Sequence, residues 1–499
     1  MTAPSISLTE QMLRRRPVIG APVAHGASDH LKRTIGTFQL TMFGVGATVG
    51  TGIFFVLSVA VPSAGPSVVV SFIVAGIAAG LAAICYAELA SAVPVSGSTY
   101  SYAYTTLGEF VAMGVAACLL LEYGVSISAV AVGWSGYVNK LLDNLFGVRI
   151  PNALSAAPWD SDPGIVNLPA IILIVMCALL LIRGASESAT VNTIMVVIKL
   201  GVLAMFAVIA FTAFSADRFA DFAPFGVAGI GSAAGTIFFS YIGLDAVSTA
   251  GDEVKDPQRT MPKAIIAALI IVTGVYVLVT IAALGTQPWQ EFANQEEAGL
   301  ATILDHVTGS TWASTILAAG AVISIFSVTL VVMYGQTRIL FAMGRDGLLP
   351  ARFAKVNPKT MTPVGNTVIV AIIVSLLAGF VPLDKLADMV SIGTLVAFIV
   401  VSVGVIILRV REPDLPRGFK VPLYPVTPVL SILACGYILY SLHWYTWIAF
   451  SGWVSVALVY YLVWSRHHSA LNDGGDGVIA TAVPGAEAVE MITPPQDPS

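Results

Sequence analysis

Apolar runs separated by short polar connections recur from Phe38 to Trp464. Twelve of them have about the length, roughly 20 residues, that a helix needs to cross some 30 Å of hydrocarbon. They span 38–62, 66–93, 99–138, 166–184, 187–214, 230–251, 262–286, 312–344, 366–383, 387–410, 426–442 and 444–464. The pattern predicts an all-α polytopic membrane protein. Segments three and eight exceed an upright crossing and are expected to tilt or project. The connections 139–165 and 287–311 have room for short helices.

Composition agrees, with 57% hydrophobic and 11% charged residues, against about 25% charged in a soluble domain. Residues 1–35 are polar and hold no apolar signal-peptide core, so they read as an N-terminal cytoplasmic segment. Residues 36–466 form the membrane domain, and 467–499, rich in Gly, Pro, Ala and acids, read as a disordered cytoplasmic tail. Charge sets the orientation, because Lys and Arg collect in cytoplasmic connections. Nineteen of the 24 basic residues fall on the side of the N-terminus, four (Lys140, Arg149, Arg218, Lys385) fall opposite, and Lys199 belongs to neither. An even count of crossings places both termini inside. The net charge of −5 lies largely in loops and tails and points to no nucleic-acid partner. Cys85, Cys118, Cys177 and Cys435 sit dispersed in apolar runs and read as packing residues.

Segment one departs from the pattern. In FGVGATVGTGIFF, Gly44, Gly46, Gly50 and Gly52 crowd one crossing, although each glycine weakens a helix by roughly 1 kcal/mol relative to alanine. Gly46 and Gly50 form a GxxxG that would serve close helix packing. The spacing also resembles a dinucleotide loop, but no strand precedes it, so no cofactor is expected. The sharper reading is an interrupted helix, which in transporters comes paired with a second one in an inverted repeat. Segment six supplies the partner in GTIFFSYIGLDAVSTAGDE, with Ser240, Gly243 and Asp245 at mid-crossing. Unwinding frees amides near Gly50, Thr51 and Gly52 for a carboxylate, aided by the helix dipole. It also frees carbonyls near Phe239, Ser240 and Ile242 for an ammonium. A pocket with these two poles suits an α-amino acid.

Lys199 lies in segment five, twelve residues past Glu187, or about 18 Å along a helix, and so near mid-membrane. A lysine at that depth faces a cavity or partner and serves an ion or proton path. The expectation is that its ammonium bridges carbonyls of segment one to hydroxyls of segment eight, with Ser324 and Ser327 as candidates, and exchanges a proton. Glu122 either lines the pocket or satisfies a polar neighbour. Asp245 binds substrate or, as is favoured, caps the broken helix. Glu88, near the inner end of segment two, reads as a structural contact.

Four stretches, LKRTIGTFQLTMFGVGATVGTGIF, YAELASAVPVSGSTYSYAYTTLGEF with LLLEYGVSISAVAVGWSGYV, FFSYIGLDAVSTAGDEVKDPQRTMPKAI and YGQTRILFAMGRDGLLP, resemble the amino acid–polyamine–organocation superfamily. Within it they are similar to the cationic amino acid transporter branch and its bacterial relatives, from about Leu31 to Trp464. The resemblance implies two inverted five-helix repeats, about 38–214 and 230–410, plus two helices over 426–464, working by alternating access. It implies substrate contacts at Thr48, Gly50, Thr51, Gly52, Phe239, Ser240 and Ile242, with Phe239 an aromatic gate. It also implies that Lys199 stands where other members hold a sodium ion. Ile325 and the first break offer no acidic partner for a cationic side chain, which favours neutral amino acids.

Proton-coupled uptake across the plasma membrane is the resulting expectation, with an exchanger of the same fold or an amino acid sensor as alternatives. An intramembrane enzyme is disfavoured. GWSG at 133–136 has the form GxSG, but that chemistry needs a histidine base, and all six histidines lie outside or at the ends of crossings. No HExxH metal motif is present.

Overall fold

The computed structural model describes residues 8–15, 35–50, 52–92, 98–160, 162–184, 189–243, 247, 254–295, 298–357, 360 and 362–472. The regular structure among these residues is helical, with an isolated parallel bridge pairing Ile35 and Val254. The helices are α1 (Leu8–Met12), α2 (Thr37–Thr48), α3 (Val56–Ala64), α4 (Val68–Ala92), α5 (Ser98–Thr106), α6 (Glu109–Phe146), α7 (Asn152–Ser155), α8 (Leu168–Ile182) and α9 (Ala189–Phe211). They continue as α10 (Gly226–Phe238), α11 (Pro257–Thr286), α12 (Gly299–Thr308), α13 (Trp312–Arg345), α14 (Val364–Phe380), α15 (Leu383–Arg411), α16 (Val426–Tyr440) and α17 (Trp444–Tyr460).

Seven stretches among the described residues are long and apolar enough to cross a membrane, and α8, α14 and α16 are shorter apolar helices. The apolar run 38–62 is two helices, because the chain leaves α2 at Val49 and resumes at Val56. The run 230–251 is helical from Gly226 to Phe238, followed by a 3-10 turn over Phe239–Tyr241. The run 99–138 is divided by a turn at Gly108 into α5 and α6, and α6 continues to Phe146. Hydropathy fixes which residues leave water but is blind to such interruptions. The connection 139–165 contains α7, and 287–311 contains a 3-10 turn at Trp289–Asn294 and α12.

The core is built around α6, whose most apolar stretch is 89% buried against 17% for the stretch Trp444–His468. The first is therefore an interior rod and the second a peripheral one whose apolar side chains face outward. α6 lies along α13 and α15, α11 runs against α4 and α2, and α9 packs on α2, α11 and α13. The broken helices α2–α3 and α10 are thus enclosed by unbroken ones. At the end of the bundle where α2 begins, the Lys255 amide donates to the Ile35 carbonyl at 2.9 Å, tying the start of segment one to the approach of α11.

The N-terminal segment packs on this end. Arg14 lies 3.4 Å from the buried Glu109 carboxylate and bonds the Arg466 carbonyl at 3.3 Å. Of the expected disordered tail 467–499, residues 473–499 lie outside the described residues. Residues 467–472 pack against the body, with the Ala470 amide donating to the Asp346 carbonyl at 3.1 Å.

Candidate functional site

The site is the meeting of two helix ends. α2 stops at Thr48 because Val49 turns to an extended conformation and Gly50 takes φ +120°. The chain re-enters a helix when the Phe55 and Val56 amides donate to the Gly52 carbonyl at 2.9 and 2.7 Å. Across from it, the turn after α10 ends at Ile242, and Gly243 takes φ +96°.

Gly50 and Gly243 are required on two counts each. Their φ angles belong to the left-handed region, which side chains other than glycine resist. A Cβ at Gly50 would sit 2.9 Å from Ser324 Oγ, and one at Gly243 would sit 2.6 Å from the Ala47 carbonyl oxygen. Gly52 lies directly against Ser240, so the two breaks touch. Gly44 and Gly46 have a different place: both are inside α2, where Gly44 packs on Val247 and Ala268 and Gly46 on Asn192 and Val196 of α9. The glycine cluster therefore divides into two packing positions and two at the break.

Helix ends leave carbonyls without intrahelical partners, and at α2 these are taken by side chains from other helices. Lys199 of α9, 1% exposed, donates from Nζ to the Gly46 carbonyl at 2.8 Å and to the Val49 carbonyl at 2.9 Å. Hydrogen bonds to a charged group are worth about 1.5–3 kcal/mol each, so this contact strongly couples α9 to the break. Thr48 turns its own hydroxyl back to the Gly44 carbonyl at 2.8 Å.

Tyr276 of α11 bridges the two breaks, its hydroxyl lying 2.9 Å from the Thr48 carbonyl and 2.8 Å from the Ser240 carbonyl. Sequence reasoning missed it. The available signal was a tyrosine deep within an apolar crossing, since membrane tyrosines normally collect at the interfaces. Tyr137 of α6 was also missed; its hydroxyl donates to the Phe54 carbonyl at 2.6 Å, fixing the entry to α3. The Phe239 carbonyl accepts from the Ile242 amide at 3.2 Å. A carbonyl oxygen has two lone pairs, so the Phe239 and Ser240 oxygens each keep capacity for a ligand donor.

Phe239 and Phe55 face each other with ring centroids 5.8 Å apart, both buried, and Phe55 rests on Gly133 of α6. Ile325 is fully buried on α13. Ser324 points to Gly50, and its hydroxyl, like that of Ser240, is buried with no hydrogen-bond partner among the described residues. Ser324 is therefore not a hydrogen-bond partner of Lys199 in this conformation, because the turn at Gly50 takes its hydroxyl toward the chain interruption. Ser327 is buried one turn further along α13. Glu122 is buried where α6 meets Gly393 of α15. Thr51 and Asp245 lie outside the described residues.

Glu88 is remote from the break. Its carboxylate receives Arg409 through two nitrogens at 2.8 and 2.5 Å, accepts the Val421 amide at 2.6 Å, and lies 3.4 Å from Arg417. Ser135 of the GWSG stretch is buried without a hydrogen-bond partner among the described residues, so no base stands beside it. The four cysteines are buried and form no disulfide among the described residues.

Comparison with known proteins extends the picture over nearly the whole chain. Residues 35–470 match the family described as amino acid permease. The chain is 42% identical over 463 residues to a branched-chain amino acid permease, BcaP, of Bacillus subtilis (strain 168), covering 92% of this chain and 99% of the relative. It is 41% identical over 462 residues to a methylthioribose transporter of the same organism, with 92% and 99% covered. To a vacuolar cationic amino acid transporter 4 of Arabidopsis thaliana it is 35% identical over 412 residues, 81% of this chain and 68% of the relative. All three are named as carriers and none as an enzyme.

Proposed function

Because the chain belongs to the amino acid permease family, we propose that it moves a neutral amino acid across the plasma membrane by alternating access, coupled to protons at Lys199. The architecture of the proposal is twelve crossings in two inverted repeats of five with two added helices, and both termini cytoplasmic. The substrate carboxylate rests on amides of Gly50, Thr51 and Gly52, ahead of α3, and its ammonium on carbonyls of Phe239, Ser240 and Ile242. Phe239, opposed by Phe55, closes over it.

The observation that carries the proton coupling is Lys199 Nζ, held by the Gly46 and Val49 carbonyls at the end of α2. An ammonium there supplies the positive charge that a sodium ion would otherwise bring to the same oxygens. Release of its proton removes that charge and loosens α2 from α9, so the protonation state and the position of α2 are linked. The neutral side chain is supported by the apolar Ile325 and by the branched-chain name of the relative at 42% identity.

Uptake of labelled leucine into proteoliposomes under a pH gradient, against a sodium gradient of equal size, tests the coupling. Accumulation driven by protons alone is expected; accumulation driven by sodium with no response to protons refutes it. Competition of the twenty amino acids and methylthioribose against the label then ranks the substrates. The second relative earns methylthioribose its place there; displacement by that sugar and by no amino acid overturns the amino acid reading.

A further inference from the structure

One polar cluster lies outside the site just described. Thr236 is on the last turn of α10, three residues before Phe239, and its hydroxyl donates to Asp388 Oδ1 at 3.1 Å. Asp388 is on the second turn of α15 and is 3% exposed. Its other oxygen, Oδ2, accepts from the Tyr445 hydroxyl at 2.9 Å and meets His443 Nδ1 at 2.7 Å. His443 precedes α17 in the turn after α16. Its side chain is 55% exposed, and its ring stacks on Tyr445 with centroids 5.3 Å apart. A continuous path therefore runs from an open imidazole through a buried carboxylate to the half-helix that leads into Phe239.

The half-helix is seated on the same turn. A Cβ at Gly231 of α10 would lie 2.7 Å from Ser441 Oγ and 2.9 Å from the Tyr437 hydroxyl, so α10 rests directly against the end of α16. α10 and α16 carry no acidic or basic side chain. The charged groups facing His443 are Asp388 and Asp384 of α15, and the titratable neighbour at the start of α17 is Tyr445. Such a buried carboxylate depends on its partners, and histidine is the one whose charge changes near neutral pH.

We propose that His443, Asp388 and Thr236 form a proton-responsive latch that holds the outer half of segment six, and Phe239 with it, in the closed position. Asp388 is the positioning residue, and His443 sets the strength of its grip. That this end faces outside rests on the transport reading; the latch itself is defined by contacts within the fold. The hydrogen bond to Asp388 raises the pKa of His443 above its ordinary 6.5, burial opposes the rise, and the charges of Asp388 and Asp384 add to it. For a group raised in this way, the stabilisation is fully present below about 6.5 and is lost as pH climbs through the higher folded value. Acid therefore tightens the latch and alkali releases it.

The test is hydrogen–deuterium exchange of the amides of 226–238 in the full-length protein in nanodiscs, at about pH 6 and about pH 8, corrected for intrinsic exchange. The wild type is expected to exchange there several-fold faster at the higher pH. His443→Gln should abolish that difference, and Thr236→Val should exchange fast at both values. An unchanged pH step in His443→Gln, or a Thr236→Val protein with wild-type protection of α10, overturns the proposal. Each variant leaves the buried Asp388 with at least two of its three partners, so it disturbs folding less than Asp388→Asn would. Exchange is read whether or not the protein carries a solute, so a failed uptake assay and a failed latch are separate results.

Discussion

The hydroxyl of Tyr276 lies 2.8 Å from the carbonyl oxygen of Ser240, and the same hydroxyl reaches the Thr48 carbonyl at 2.9 Å. One side chain of α11 thus holds together the two places where the helical ladder is interrupted. Both oxygens are exposed by the breaks themselves, so the tyrosine compensates for the irregular backbone that the site requires.

Tyr276→Phe removes only that hydroxyl. The single O–H that the two buried carbonyls share is lost, which should cost about 1–3 kcal/mol. Thermal unfolding in detergent should show the loss as a lower Tm, and proteoliposome uptake should fall by a larger factor than stability does. A variant with wild-type Tm and uptake would show that the bridge is dispensable.

Lys199→Ala removes the cation shared by the Gly46 and Val49 carbonyls. Uptake driven by a pH gradient should disappear, while equilibrium binding of labelled substrate, followed by scintillation proximity, persists. Lys199→Met, which keeps most of the stem, should be the more stable of the two and equally unresponsive to protons.

Gly50→Ala places a methyl group 2.9 Å from Ser324 Oγ at φ +120°. The backbone penalty alone is about 1–3 kcal/mol. Ser324→Gly in the same protein relieves the clash but not the backbone strain, so it should restore part of the lost Tm and leave a residue. Full restoration would mean that the steric contact was the whole effect.

Glu88→Gln leaves Arg409 and Arg417 facing an uncharged amide at a side chain that is 1% exposed. Breaking a buried pair from one side costs about 3–5 kcal/mol. A large fall in Tm is expected, with substrate affinity in the surviving folded fraction unchanged, because the cluster lies away from the break.

The candidate site was partly legible because it violates the local pattern. Glycines in segment one, Ser240 and Gly243 in segment six and a lysine in segment five each conflict with a plain apolar helix, and a conflict can be seen without knowing the fold. Tyr276 conflicts only weakly, as a tyrosine far from the interfaces where membrane tyrosines collect, and Tyr137 and Asp388, near the ends of their crossings, give no such conflict. None of the three reveals its role until its partner is known. Segment and depth put Ser324 near Lys199, and only the turn at Gly50 determines that its hydroxyl faces that turn.

By itself the sequence determined what depends on neighbouring residues: the apolar runs, the asymmetry of basic charge, and the weak points in two helices. These follow from local composition, because transfer into hydrocarbon and helix propensity act residue by residue. That Lys199 reaches carbonyls of segment one was readable as well; which carbonyls it takes, and that Tyr276 joins the two breaks, the tertiary structure alone decided. Lys199 meets Gly46 across 153 positions and Tyr276 meets Thr48 across 228. Such bonds depend on how whole helices pack side by side, and no short stretch of the chain records that arrangement.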